Sequence, residues 1–149
     1  MSKIAVLVGS VYGAAEELAE HAISELSNKG LECELFNDAG LASVKDFNAD
    51  AWLIITSTTG QGDVPPNLVD TYQALKDEFP NLSQLKYGII AMGDSSYHDS
   101  FCGAGKQFDA LMKELMATSL QEKLEIDACE TMEPVEYSAN WLNDFIADC

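Results

Sequence analysis

The sequence predicts an α/β fold, a doubly wound parallel sheet with helices on both faces. Two observations lead there. Lys3 to Gly9 is a nearly continuous run rich in Ile and Val, the signature of a strand covered on both faces in a parallel sheet. Five such strand-length runs recur along the chain, most of them separated by helical patterns, and strands alternating with helices imply right-handed crossovers. At 149 residues the chain is one domain, spanning 1–149, with no linker, internal repeat or low-complexity tract.

Each element has its own warrant. After the first strand, Leu18, Ala22, Ile23 and Leu26 share one stripe at helical spacing, with Glu16, Glu17 and Glu20 in the first turns, where negative charge complements the helix dipole. Gly30 ends that helix. Leu31 to Phe36 alternates as a second strand, Ala51 to Thr56 is the third, Tyr87 to Met92 the fourth and Leu124 to Ala128 the fifth. Pro65 and Pro66 suit a helix start, and Leu68, Val69, Tyr72 and Leu75 give that helix its stripe as far as Phe79. Phe108, Leu111, Met112 and Leu115 mark another helix. A final one is expected from Pro134 to Asp148, with Trp141, Leu142 and Phe145 inward, and both Trp52 and Trp141 are expected in the core.

Composition narrows the classes. Hydrophobic residues make up 47% and charged residues 22%, a globular profile, and no segment approaches the roughly 20 apolar residues of a membrane span. Met1 to Lys3 leads into only five apolar residues, Ile4 to Val8, too short for a secretory apolar region, so the expected compartment is the cytoplasm. Cys33, Cys102, Cys129 and Cys149 are widely spaced and suggest neither a zinc site nor a redox dithiol; free thiols fit a reducing compartment. The formal net charge of -17 repels nucleic acid and anionic lipid and favours basic protein surfaces.

In a doubly wound sheet, ligands bind beyond the carboxyl ends of the strands, where strand order reverses. Three loops therefore carry the functional argument. After strand one, Gly9-Ser10-Val11-Tyr12-Gly13-Ala14-Ala15-Glu16 is a small-residue turn delivering free backbone N–H groups at a helix start, an anion site. It lacks the Gly-x-Gly-x-x-Gly and Gly-Lys-Ser/Thr spacings of dinucleotide and Walker loops, and with no Lys or Arg it offers only amides and the hydroxyls of Ser10 and Tyr12. After strand three, Thr56 to Pro65 is dense in hydroxyls and glycine and carries Asp63; Gly60 and Gly62 allow a flat ligand to approach the backbone. After strand four comes Gly93-Asp94-Ser95-Ser96-Tyr97-His98-Asp99-Ser100-Phe101-Cys102, longer than a plain crossover needs.

With these loops in view, the chain resembles the flavodoxin family in its short bacterial form, nearest to the small YqcA- and MioC-like proteins. The resemblance spans essentially the whole chain and is most specific at Ser57 to Asp63 and Gly93 to Cys102; the first of these also resembles the FMN modules of diflavin reductases. Flavodoxin is itself the standard case of five parallel strands in the order 2-1-3-4-5 with FMN at the switch between strands one and three, so that placement comes from the resemblance. It further implies that Ser10, Val11, Tyr12, Gly13, Ala14 and Ala15 hold the FMN phosphate. Ser57, Thr58, Thr59 and Gly60 on one side, and Gly93, Asp94, Phe101 and Cys102 on the other, would flank the isoalloxazine, with Tyr97 stacked on its outer face. Gly60 would be the peptide whose carbonyl accepts a hydrogen bond from the ring as it is reduced. Carboxylates such as Asp63, Asp94 and Asp99 would disfavour the anionic, fully reduced ring and so set a low potential. His98 is read as a solvated loop residue.

The function so implied is an electron carrier with no turnover of its own: a monomer reduced by an NADPH-dependent flavodoxin reductase with a basic face and oxidised by an acceptor redox enzyme, over small transient contacts. Two departures stand out. Flavodoxins commonly place Thr or Ser three and five residues after the first hydroxyl of the phosphate loop, with Asn between; here Gly13, Ala15 and Ala14 stand there. Each missing hydrogen bond to a charged oxygen removes roughly 1.5 to 3 kcal/mol. Thr59 replaces an inner aromatic, leaving Tyr97 as the sole stacking ring. The alternative is a flavodoxin-like binding or regulatory module that has lost useful FMN affinity. A receiver domain is disfavoured, because strand three ends in Thr56 and Ser57 without a phospho-acceptor Asp.

Overall fold

The computed structural model describes residues 3–9, 14–37, 40–58, 64–93, 102–127 and 134–148. Its elements follow in the order β1 (Lys3–Gly9), α1 (Ala14–Asn28), β2 (Glu32–Phe36), α2 (Leu41–Phe47), β3 (Ala51–Thr56), α3 (Pro66–Glu78), β4 (Lys86–Gly93), α4 (Gly103–Glu114), β5 (Thr118–Ser119), β6 (Leu124–Asp127) and α5 (Pro134–Asp148). All strand pairings are parallel. The order runs β2-β1-β3-β4-β5, with β6 also pairing with β4.

The expected fifth strand, Leu124 to Ala128, is β6, with Ala128 outside the described residues, and the two-residue β5 before it is a sixth strand that the sequence did not signal. β5 pairs with the start of β4 through Lys86–Thr118 and Tyr87–Ser119, while β6 pairs with its end, from Ile90–Leu124 to Gly93–Asp127. Two short stretches occupy one edge position, and the intervening residues are drawn off the ladder. Gln121 Nε2 donates to Trp141 O at 2.8 Å and Trp141 Nε1 donates to Glu122 O at 2.9 Å. Trp141 is half-buried: its ring packs inward on the core beside Gly88 and stacks on Phe145 with ring centroids 5.6 Å apart, while its indole N–H serves the buckle.

Alternation along the strands sorts the core into two layers. Ile4, Val6, Val8, Leu53, Ile55, Ile90 and Met92 face α1 and α5, meeting Leu18, Ala22, Leu26, Leu142 and Phe145. Ala5, Leu7, Trp52, Ile54, Tyr87, Ile89 and Ala91 face α2, α3 and α4, meeting Leu41, Val44, Leu68, Leu75, Phe108 and Met112. Covering both faces is what permits near-continuous apolar strands. On α3 the buried set is Leu68, Thr71 and Leu75, whereas Val69 is 41% exposed. Residue 69 lies one step of about 100° round from 68, and the set 68, 71, 75 keeps helical period despite the hydroxyl.

Helix ends follow local rules. α1 closes with Gly30 at φ +82 and Leu31 N–H bonded to Leu26 O at 3.1 Å, the wrapped ending that glycine permits. α3 starts at Pro66, with Leu68 N–H bonded to Pro65 O at 2.9 Å. Among the described residues no helix is long and apolar enough to cross a membrane.

Candidate functional site

β1 is the point where the sheet changes direction: its neighbour β2 is reached through α1 on one face, and β3 through α2 on the other. Helices leaving to opposite faces open a crevice at the carboxyl ends of β1 and β3. There Gly9 pairs with Thr56, and the fit admits no side chain on the glycine: a Cβ would lie 2.7 Å from Thr56 Oγ1 and 3.1 Å from Leu68 Cδ2.

The next residues tie the loops together. Ser57 donates to Gly9 O from both its backbone N–H, at 2.8 Å, and its hydroxyl, at 3.3 Å. Thr56 Oγ1 donates to Ser57 O at 2.9 Å. Across the crevice the backbone N–H of Ala104, in the first turn of α4, donates to Thr58 Oγ1 at 3.3 Å. On the other flank Asn67 Nδ2 reaches Val8 O at 3.1 Å and Asn37 O at 2.6 Å, pinning the ends of β1 and β2 to the start of α3. Sequence reasoning passes over Asn67, since an amide after a Pro-Pro helix start has no periodic signal.

The fourth-strand loop closes on itself at its base. A Cβ on Gly93 would come within 2.5 Å of the Cys102 backbone nitrogen, so the two ends of the loop touch. Cys102 is fully buried at φ +54, and its thiol points to the sheet, 3.5 Å from Ala91 O and 4.0 Å from Ile126 O. Burial, and secondarily the Glu125 carboxylate, push the thiol up to about 12. It is a neutral packing group, and what Cys102 can offer a ligand is backbone.

Of the sequence-predicted residues, the structure brings Ala14, Ala15, Ser57, Thr58, Gly93 and Cys102 to one end of the sheet. Ala15 is fully buried, so it too can contribute only main chain. Ser10, Val11, Tyr12, Gly13, Thr59, Gly60, Asp63, Asp94, Tyr97, His98, Asp99 and Phe101 lie outside the described residues. Lys106, in the first turn of α4, lies 3.9 Å from Glu125, and among the described residues no group of three His, Cys, Asp or Glu side chains is placed to hold a metal ion. A helix N-terminus, hydroxyls and backbone amides are what an anion would meet.

The family model for flavodoxin matches residues 6–141. The chain belongs to the flavodoxin family. It is 41% identical over 145 residues to flavodoxin YqcA of Escherichia coli, covering 97% of each chain. A solved flavodoxin from Pseudomonas aeruginosa, a cysteine-to-alanine variant, superposes with a TM-score of 0.93 at 44% identity, over 98% of this chain and 97% of that one. The NADPH sulfite reductase flavoprotein alpha-component of Vibrio parahaemolyticus is 35% identical over 126 residues, 84% of this chain but 20% of that protein.

Flavodoxins bind FMN and carry electrons, and the described residues fit that group. Gly9 and Gly93 leave no room for side chains of their own, α1 begins at the rim with Ala14, where the first amides of a helix lack partners within the helix, and the segment after β3 is joined to the start of α4 through Thr58 and Ala104.

Proposed function

We propose that this flavodoxin holds FMN at the β1/β3 crevice and acts as a non-catalytic carrier between an NADPH-dependent reductase and an acceptor redox enzyme in the cytoplasm. The observation that carries the reading is the hydrogen-bonded union of three carboxyl-end loops: Ser57 to Gly9 and Ala104 to Thr58. Bound FMN supplies the one-electron chemistry. The chain's part is to bind and orient. The 10–15 segment presents amides to the phosphate, the 57–60 and 93–102 segments flank the ring, and Tyr97 stacks on it.

The same residues set the partner chemistry. With a net charge of -17 and few cations near the rim, encounter with a basic partner face is accelerated at low salt and slowed as screening rises. Such a contact is small and transient, as a carrier that must release its partner requires.

Adding FMN to the apo-protein and following flavin fluorescence tests the binding. Quenching that saturates at one equivalent, with electrons passed from NADPH through a flavodoxin reductase at a rate that falls with salt, is the expected result. A colourless protein that takes up no FMN would overturn the carrier and leave the binding-module alternative.

A further inference from the structure

The first amides of a helix lack partners within it, and a side chain from the residue before the helix ordinarily supplies one. α4 cannot be served that way. Its preceding residue, Cys102, makes no side-chain cap; the thiol is turned down toward Ala91 O and Ile126 O. Gly103, the first helical residue, has no side chain to offer. The acceptor comes instead from a loop 46 residues earlier in the chain, as Thr58 Oγ1 takes the Ala104 N–H at 3.3 Å.

The residue beside it makes that cap a brace. Ser57 is fixed to Gly9 O by its N–H and its hydroxyl, so Ser57 and Thr58 together run from the end of β1 to the start of α4. Cys102 in turn is pressed against Gly93. The lateral position of α4's first turn therefore also sets where the fourth-strand loop begins and ends.

We infer that Thr58 is a positioning residue: its hydroxyl caps α4 from the neighbouring loop and fixes the spacing between the two ring-flanking loops before FMN arrives. This rests on the carrier reading, and it reassigns Thr58 from a ligand of the ring to a strut of its site. The preorganised spacing lowers the ordering cost of binding.

Amide hydrogen exchange on the apo-protein, paired with FMN titration, tests it. Thr58→Val keeps the shape and removes the hydroxyl; Thr58→Ser keeps the hydroxyl. The expected result for Thr58→Val is Ala104 exchange faster by roughly two- to tenfold, the worth of one neutral hydrogen bond. Interior amides of α1 stay unchanged, and FMN affinity falls by a similar factor. Thr58→Ser restores both. Thr58→Ala serves as a second hydroxyl-free variant if Thr58→Val folds poorly.

Weakened FMN binding with unchanged Ala104 exchange would mean a direct ligand and overturn the inference. Faster exchange with unchanged affinity would reduce the cap to local structure and overturn it equally. A wild-type protein that takes up no FMN overturns the carrier reading, and with it the positioning role, while Ala104 exchange still reports on the cap itself.

Discussion

The two ends of the sheet are built on different principles. At the amino end most of the ties are main-chain, Asp50 N–H to Lys3 O at 2.8 Å, Leu82 N–H to Leu115 O at 2.9 Å and Thr118 N–H to Leu85 O at 2.9 Å, joined by Lys3 N–H to Asp50 Oδ2 at 2.9 Å. At the carboxyl end one main-chain bond, Ser57 N–H to Gly9 O at 2.8 Å, is joined by ties from the side chains of Ser57, Thr58 and Asn67, spanning segments far apart in sequence. Left-handed residues close turns at both ends, Asn48 at φ 55, Phe79 at φ 45 and Met116 at φ 70 at the amino end and Cys102 at φ 54 at the carboxyl end. One end closes the fold, and the other is the end at which we propose that FMN sits.

Core truncation at the amino end gives the largest expected effect. Leu75, fully buried in the last turns of α3, should cost about 2–5 kcal/mol on replacement by Ala, read by denaturant unfolding, with the FMN dissociation constant of the folded protein unchanged. A large affinity change would show that the two ends are not separable. Gly93→Ala is the complement. Forcing a Cβ against the Cys102 backbone should cost about 1–3 kcal/mol and weaken FMN binding at least tenfold, which calorimetric titration would measure.

Alkaline pH sharpens the comparison next. The folded state holds the Cys102 thiol up at about 12, and it holds the Tyr87 phenol above its ordinary value, through burial first and then its hydrogen bond to Asp109 at 2.8 Å. Raised folded-state values add stability that is fully present below the unfolded values, near 9 and 10, and is lost as pH climbs above them. Denaturant midpoints should therefore fall between pH 8 and 10.5, and Cys102 should resist iodoacetamide at pH 8 until the chain is unfolded.

The smallest effect is a gain. Phe79 is 57% exposed in a left-handed position. Phe79→Gly removes a backbone penalty of about 1–2 kcal/mol and returns about 0.5–1 kcal/mol through the freer unfolded chain. A slightly higher melting temperature with unaltered FMN binding is expected; a lower one would show that the ring contributes packing.

Long periodic stretches were legible from residues alone, and short or imported features were not. Lys3–Gly9 and Pro134–Asp148 follow from apolar pattern. α2, seven residues long, buries Leu41 and Val44 with Phe47 partly buried against the core, too short a run to establish a helical period, and the two residues of β5 carry no alternation at all. Thr71 takes an inner position that apolar character assigns to Val69, because helical phase outranks a single hydroxyl. At the site, Gly9, Ser57 and Gly93 were readable as small residues at strand ends. The cap on Ala104 was not, since backbone N–H groups leave no mark in a sequence.

The buckle between β5 and β6 bears on how the protein behaves in concentrated solution. An uninterrupted outer strand is a template onto which another molecule can add its own. Here that margin offers two stretches of two and four residues separated by a fold-back tied to α5, while the opposite margin, β2, carries the exposed Glu32 and Glu34, the first paired with Lys3 of β1. Both borders of the sheet are thereby guarded against end-on stacking into fibres.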